Sequence, residues 1–151
     1  MKPCLRIIPL AVALCAGLFA TNASDQHGHA HKATPGGGRL LEKTEPHAEF
    51  VVEKDRGVTI HFYDHDLKPV AATTQTVTVI ASGKDGRWTL EFERKGDSLA
   101  SKTKLPEVEG CNVVVQFRQT AGTKPSNHRF KLDLNHCGGC KRAEYACVCD
   151  H

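Results

Sequence analysis

From Ala48 to Leu134 apolar and polar residues alternate with a period of two, and no part of that stretch sustains a helical period. A period of two sends successive side chains to opposite faces of an extended strand, so one face can be buried while the other stays wet. Phe50 and Val52 alternate with Glu49 and Glu53. After the turn residues Asp55-Arg56-Gly57, the residues Val58, Ile60 and Phe62 alternate with Thr59, His61 and Tyr63. Two such runs around a short polar turn predict a hairpin. Asp64–Ala72 reads as a loop holding Pro69, and Thr76–Ala81 as a third strand closed by Ser82-Gly83-Lys84-Asp85-Gly86. Trp88, Leu90 and Phe92 mark a fourth strand, Leu99 a short fifth, Cys111–Arg118 a sixth and Asn127–Leu134 a seventh. Seven short strands between Gly, Pro and Asp turns predict an all-β fold, a seven-stranded antiparallel immunoglobulin-like sandwich, with a small barrel as the alternative.

The flanks do not share this pattern. Lys2 and Arg6 precede an apolar run, Ile7 to Ala20, and then the small residues of Thr21-Asn22-Ala23. That is the three-part layout of a secretory signal, with cleavage expected after Ala23. The apolar run is too short for a permanent membrane helix, and Pro9 interrupts it. Cys15 follows Leu14, where a lipidation signal wants a small residue. Residues 24–43 read as a flexible His/Gly-rich arm, because His27-Gly28-His29-Ala30-His31 and Pro35-Gly36-Gly37-Gly38 have no apolar residues to bury. Residues 44–134 form the β-domain and 135–151 a Cys-rich tail. Removing the two cations of the leader brings the formal charge from +3 close to neutral, which gives no electrostatic case for nucleic acid. No later segment is apolar enough to span a membrane once the signal is removed. The expected location is periplasmic or otherwise exported.

Of seven cysteines, Cys4 and Cys15 lie in the leader, leaving Cys111, Cys137, Cys140, Cys147 and Cys149. The last four are spaced Cys-x2-Cys-x6-Cys-x-Cys. Four thiolates at about 2.3 Å from one ion make a tetrahedral site that suits Zn(II), and soft sulfur suits Cu(I) as well. Gly138 and Gly139 allow the tight turn that such a pair needs, Cys147 and Cys149 face one way if extended, and His136 and His151 are spare donors. An oxidising compartment also permits disulfides, such as Cys137–Cys149 with Cys140–Cys147. A redox Cys-x-x-Cys pair fits less well, because that chemistry wants a helix start to lower its thiol pKa. In an extended arm His27, His29 and His31 point to one side and offer imidazoles to a second ion. His61 and His65, with Asp64 and Asp66, read as a polar strand end; Cys111 reads as a small packing residue. No nucleophile–base pair, phosphate loop or pair of carboxylates stands out, so no enzyme is expected.

Gly36-Gly37-Gly38-Arg39-Leu40-Leu41-Glu42, then Glu45-Pro46-His47-Ala48-Glu49-Phe50, and the tail from Cys137 to Cys147 resemble small bacterial envelope proteins that accompany heavy-metal efflux systems. The resemblance implies a periplasmic β-domain that handles metal, passing ions to an efflux adaptor or another envelope protein. A looser likeness is to periplasmic copper-resistance β-sandwiches, which use methionine-rich Cu(I) sites. Here the only methionine is the initiator, so none of their site residues transfers. Two functions therefore stand foremost at the level of sequence, with a thiol oxidoreductase using Cys137 and Cys140 as a third. One is a metal buffer or carrier with one ion at the cysteine cluster and another at the histidine arm. The other is an interaction module whose tail is fixed by disulfides or a structural zinc.

Overall fold

The structure is a computed structural model that describes residues 32–107 and 110–149. The expected signal segment, residues 1–23, and His27, His29, His31 and His151 lie outside these residues. Among the described residues nine strands are present: β1 Arg39–Leu41, β2 His47–Val52, β3 Val58–Tyr63, β4 Pro69–Val70, β5 Thr76–Gly83, β6 Gly86–Lys95, β7 Ser98–Ser101, β8 Cys111–Arg118 and β9 Ser126–Leu132. A single 3-10 turn, Glu144–Ala146, is the one helical element among the described residues. None of these residues forms a helix long and apolar enough to cross a membrane.

All pairings are antiparallel, in the order β1-β2-β3-β7-β6-β5-β8-β9, with β4 lying on β3. The long β6 is the joint of the sheet. Its first part pairs with β5, where Leu90 faces Val79, and its last four residues pair with β7 from Phe92↔Ser101 to Lys95↔Ser98. One strand thus serves both halves, and the sheet curls until it is nearly a barrel. The expected immunoglobulin-like arrangement of seven strands differs from this pairing in two ways. β1 and β4 add strands at three and two residues, too short to register as alternation, and the sheet follows one continuous path.

The period of two does what it should at the centre. Val58, Ile60 and Phe62 of β3, Val77, Val79 and Ala81 of β5, and Cys111, Val113, Val115 and Phe117 of β8 are buried and joined by Leu90 and Phe50 in one core. A large apolar side chain so placed contributes about 2–3 kcal/mol through loss of contact with water. The last strand is different: Phe130, in register with Val113, is only partly buried.

Two expectations about the flanks are corrected. Residues 34–41, expected to belong to the flexible arm, lie against the sheet. Thr34 is buried, and the Gly38 backbone sits so close to β2 that a Cβ there would stand 2.2 Å from the Phe50 carbonyl oxygen. The glycines therefore serve close approach as well as freedom. Their loop also explains Glu49, expected on the wet face of β2 yet 0 % exposed. Its carboxylate accepts from the Thr34 hydroxyl (2.6 Å), Gly36 N–H (3.2 Å), Gly38 N–H (2.6 Å) and the Tyr63 hydroxyl (2.7 Å). A buried charge is tolerable only when its lone pairs are satisfied, as they are here. Burial, and then the bond to Glu49, push the Tyr63 hydroxyl far above its ordinary range.

The second correction concerns the tail, expected to lie apart from the core. Tyr145 and Ala146 are buried members of it. Tyr145 stacks on Phe130 (6.2 Å between centroids, 20° between planes) and meets Phe50 edge-on (5.9 Å, 86°). These aromatic contacts supply the apolar cover that β9 leaves incomplete.

Candidate metal centre

Cys137 follows the end of β9 by five residues, and a tight turn brings it back on Cys140. The Lys141 N–H donates to the Cys137 carbonyl (3.0 Å) and the Cys137 N–H to the Arg142 carbonyl (2.8 Å). Lys141 sits at φ 60°, in the left-handed region that closes such a turn. The chain then enters the 3-10 turn, where Ala146 N–H donates to Ala143 O (2.9 Å) and Cys147 N–H to Glu144 O (3.2 Å). Tyr145, held in the core, fixes where this turn lies and so delivers Cys147 and Cys149 to the first pair.

The four sulfurs converge. Cys137 and Cys147 are 3.3 Å apart, Cys140 and Cys147 3.7 Å, and Cys137 and Cys149 3.9 Å. All four lie within 4.8 Å of one another. A disulfide would hold two sulfurs at about 2.05 Å; none of the four is bonded in this way. A tetrahedral ion with bonds of about 2.3 Å sets every S···S edge at about 3.8 Å; two of these three separations lie within about 0.1 Å of that value, and the third is shorter. The donor set and the spacing of its atoms therefore suit one ion held by four sulfurs.

Local polarity agrees. The N–H groups of Val148 and Arg142 point at the Cys140 sulfur and hold its thiol below the ordinary range. The Cys149 N–H lies 3.3 Å from the Cys147 sulfur and favours its thiolate. Even so, the neighbouring Cys137 thiol, burial, and the Cys140 and Cys149 thiols together push Cys147 up to about 12. Cys149 is also raised, foremost by Cys140. Four sulfurs this close cannot all carry negative charge unless a cation lies between them.

Gly139 is needed for contact. A Cβ there would stand 2.9 Å from the Cys149 sulfur, whereas one on Gly138 would meet nothing within 4 Å. Cys137 and Cys147 are buried, at 2 % and 9 % exposure, while Cys140 and Cys149 are half-buried. The Arg142 guanidinium, next to the cluster in sequence, bonds to the loop before β1. Its Nη2 donates to the Thr34 carbonyl (3.2 Å), and its buried Nη1 has no hydrogen-bond partner among the described residues.

His136 is exposed, paired by backbone with Ala143, and not one of the four converging groups. The arm histidines and His151 lie outside the described residues. Asp64 is used locally, its carboxylate accepting from Lys68 and Asp66 N–H (2.9 Å each). Cys111 is buried on β8, far in sequence from the cluster, and burial raises its thiol. Sequence reasoning found all four sulfurs but missed Tyr145 and the backbone of Arg142, which place them. The one available signal was an aromatic and an alanine between the cysteine pairs. No family model, curated protein or solved structure matches the chain.

Proposed function

We propose that this is an exported metal-binding protein that holds one Zn(II) or Cu(I) ion at Cys137, Cys140, Cys147 and Cys149, and acts as a buffer or carrier in heavy-metal handling. The observation that carries the metal reading is the convergence of four cysteine sulfurs within 4.8 Å of one another, three of their separations at 3.3–3.9 Å against the edge of about 3.8 Å in a four-sulfur tetrahedron. The half-buried Cys140 and Cys149 support exchange, since an incoming donor can reach their sulfurs. The arm with His27, His29 and His31 supports capture of a second ion, because a tethered weak site raises the ion's local concentration. The export signal read from the sequence supports an envelope location, where an efflux adaptor is the natural recipient.

The burial of Tyr145 and Ala146 between the ligand pairs favours a second reading. In it the ion is a fixed part of the fold, and the sheet surface binds another envelope protein. Native mass spectrometry of the mature protein, with thiol alkylation before and after metal stripping, tests the site. One Zn or Cu per chain and four thiols alkylatable only after stripping are expected. A metal-free protein lighter by four hydrogens would overturn it. Transfer of the ion to a competing chelator within minutes supports the carrier; retention for days supports the fixed ion.

A further inference from the structure

The strand path ends on β1 and β9, and these two edges are not paired with each other. The seam between them is closed by side chains and by the tail. Phe50 of β2 and Phe130 of β9 meet across it, with centroids 5.3 Å apart. Tyr145 packs on both rings. Its N–H donates to the Asp133 carbonyl, just beyond β9 (3.0 Å), and its hydroxyl accepts from the Val52 N–H at the end of β2 (3.0 Å). Arg39 of β1 crosses above, its guanidinium 4.9 Å from the Phe130 centroid and its Nη1 donating to the Tyr145 carbonyl (3.0 Å). One residue of the tail is thus tied to both sides of the seam.

That residue sits on a turn of only three residues, which cannot sustain itself, since a short helix costs more order than its few bonds return. The first residue of the turn donates its N–H to the Asn135 carbonyl (2.8 Å), and the cysteine cluster brackets the turn: Cys140 and the Arg142 backbone before it, Cys147 immediately after it. We propose that the metal ion is the clasp of the sheet. Binding at the four cysteines holds Tyr145 in the seam between β1 and β9, and loss of the ion opens that seam while β5, β6 and β8 stay folded. The proposal rests on the metal reading given above and adds what the ion regulates. A ligand that stabilises one state is stabilised by it to the same degree, so the coupling must run both ways.

Hydrogen exchange read by mass spectrometry tests it on the mature full chain, under a reductant, zinc-loaded and then stripped by a chelator. Stripping should speed amide exchange by about tenfold or more in β1, β9 and residues 133–147, and leave β5 and β8 protected. Stripped protein that carries no ion and four alkylatable thiols, yet keeps full protection of β1 and β9, overturns the clasp and leaves the metal site standing. Protein that takes up no zinc at all overturns both. Tyr145→Ala provides the reverse test. It should weaken zinc binding by the same factor by which zinc protects the seam, and Tyr145→Phe, which keeps the stacking, should weaken it less. Parent affinity together with parent protection in Tyr145→Ala overturns the proposal.

Discussion

Replacing Gly139 with alanine tests the metal centre on a single atom. The new Cβ would lie 2.9 Å from the Cys149 sulfur and 3.9 Å from that of Cys137. Unstrained contacts of this kind relax at about 3.5–4.0 Å, so the Cys149 sulfur must retreat by roughly 0.6–1.1 Å. Metal–sulfur bonds tolerate displacements of about 0.2 Å, several times less. Cys149 therefore leaves the ion or drags the site out of shape. Perturbing the shell that orients ligands costs about 10–100-fold in affinity, and the upper end is expected here because the clash falls on a ligand itself. Gly138→Ala is the matched control. Its Cβ meets nothing within 4 Å, so its affinity should stay within about a factor of two of the parent. The assay is competition for Zn(II) between the reduced protein and a chromophoric chelator. Equal losses in the two variants would refute the reasoning, and parent affinity in Gly139→Ala would remove Cys149 from the ligand set.

Other consequences follow from the same contacts. Cys140→Ser combined with Cys147→Ser should abolish tight binding by the same titration while the far-ultraviolet circular dichroism remains that of a β protein. Since Cys147 and Cys149 are raised when no ion is bound, binding must release their protons. Zinc affinity should then fall as pH falls, by at least about 100-fold per unit between about pH 8 and pH 6, tenfold for each of these two thiols and more for any other ligand thiol that sheds a proton; isothermal titration at two pH values reads it directly. Glu49→Gln turns an acceptor of four hydrogen bonds into a group that presents N–H to N–H, and should cost about 2–3 kcal/mol in urea unfolding. In zinc-loaded protein Tyr145→Phe should cost about 1 kcal/mol for the bond to Val52, and Tyr145→Ala about 3–5 kcal/mol for the lost ring.

The central strands and the four sulfurs were legible because each depends on residues close in sequence. Val58-Thr59-Ile60 and Val113-Val114-Val115 show their inner faces by alternation or apolar content alone, and Cys-x2-Cys with Cys-x-Cys states its chemistry by spacing. Glu49 was not legible, since the pattern placed it outward and only the loop through Thr34 and Gly38 covers it. β4, at two residues, offers no period to read. The place of Tyr145 was not legible, because its partners, Phe50 on β2 and Phe130 on β9, come from strands far apart on the path. Local pattern names the faces of strands; it does not say which edges will meet.

The contacts that close the seam are also the most distant along the chain: Tyr145 reaches back 93 positions to Val52 and 106 to Arg39, and Arg142 reaches back 108 to Thr34. Hairpins such as β5–β6 and β8–β9 span short loops and can form early, whereas these contacts must wait for the segment that follows β9. In kinetic terms the cysteine tail is the last piece of the sheet to arrive. Until it does, β1 and β9 are open edges, each able to pair with another unfinished copy. The docking of the tail thus ends the period in which these edges are exposed to misassembly.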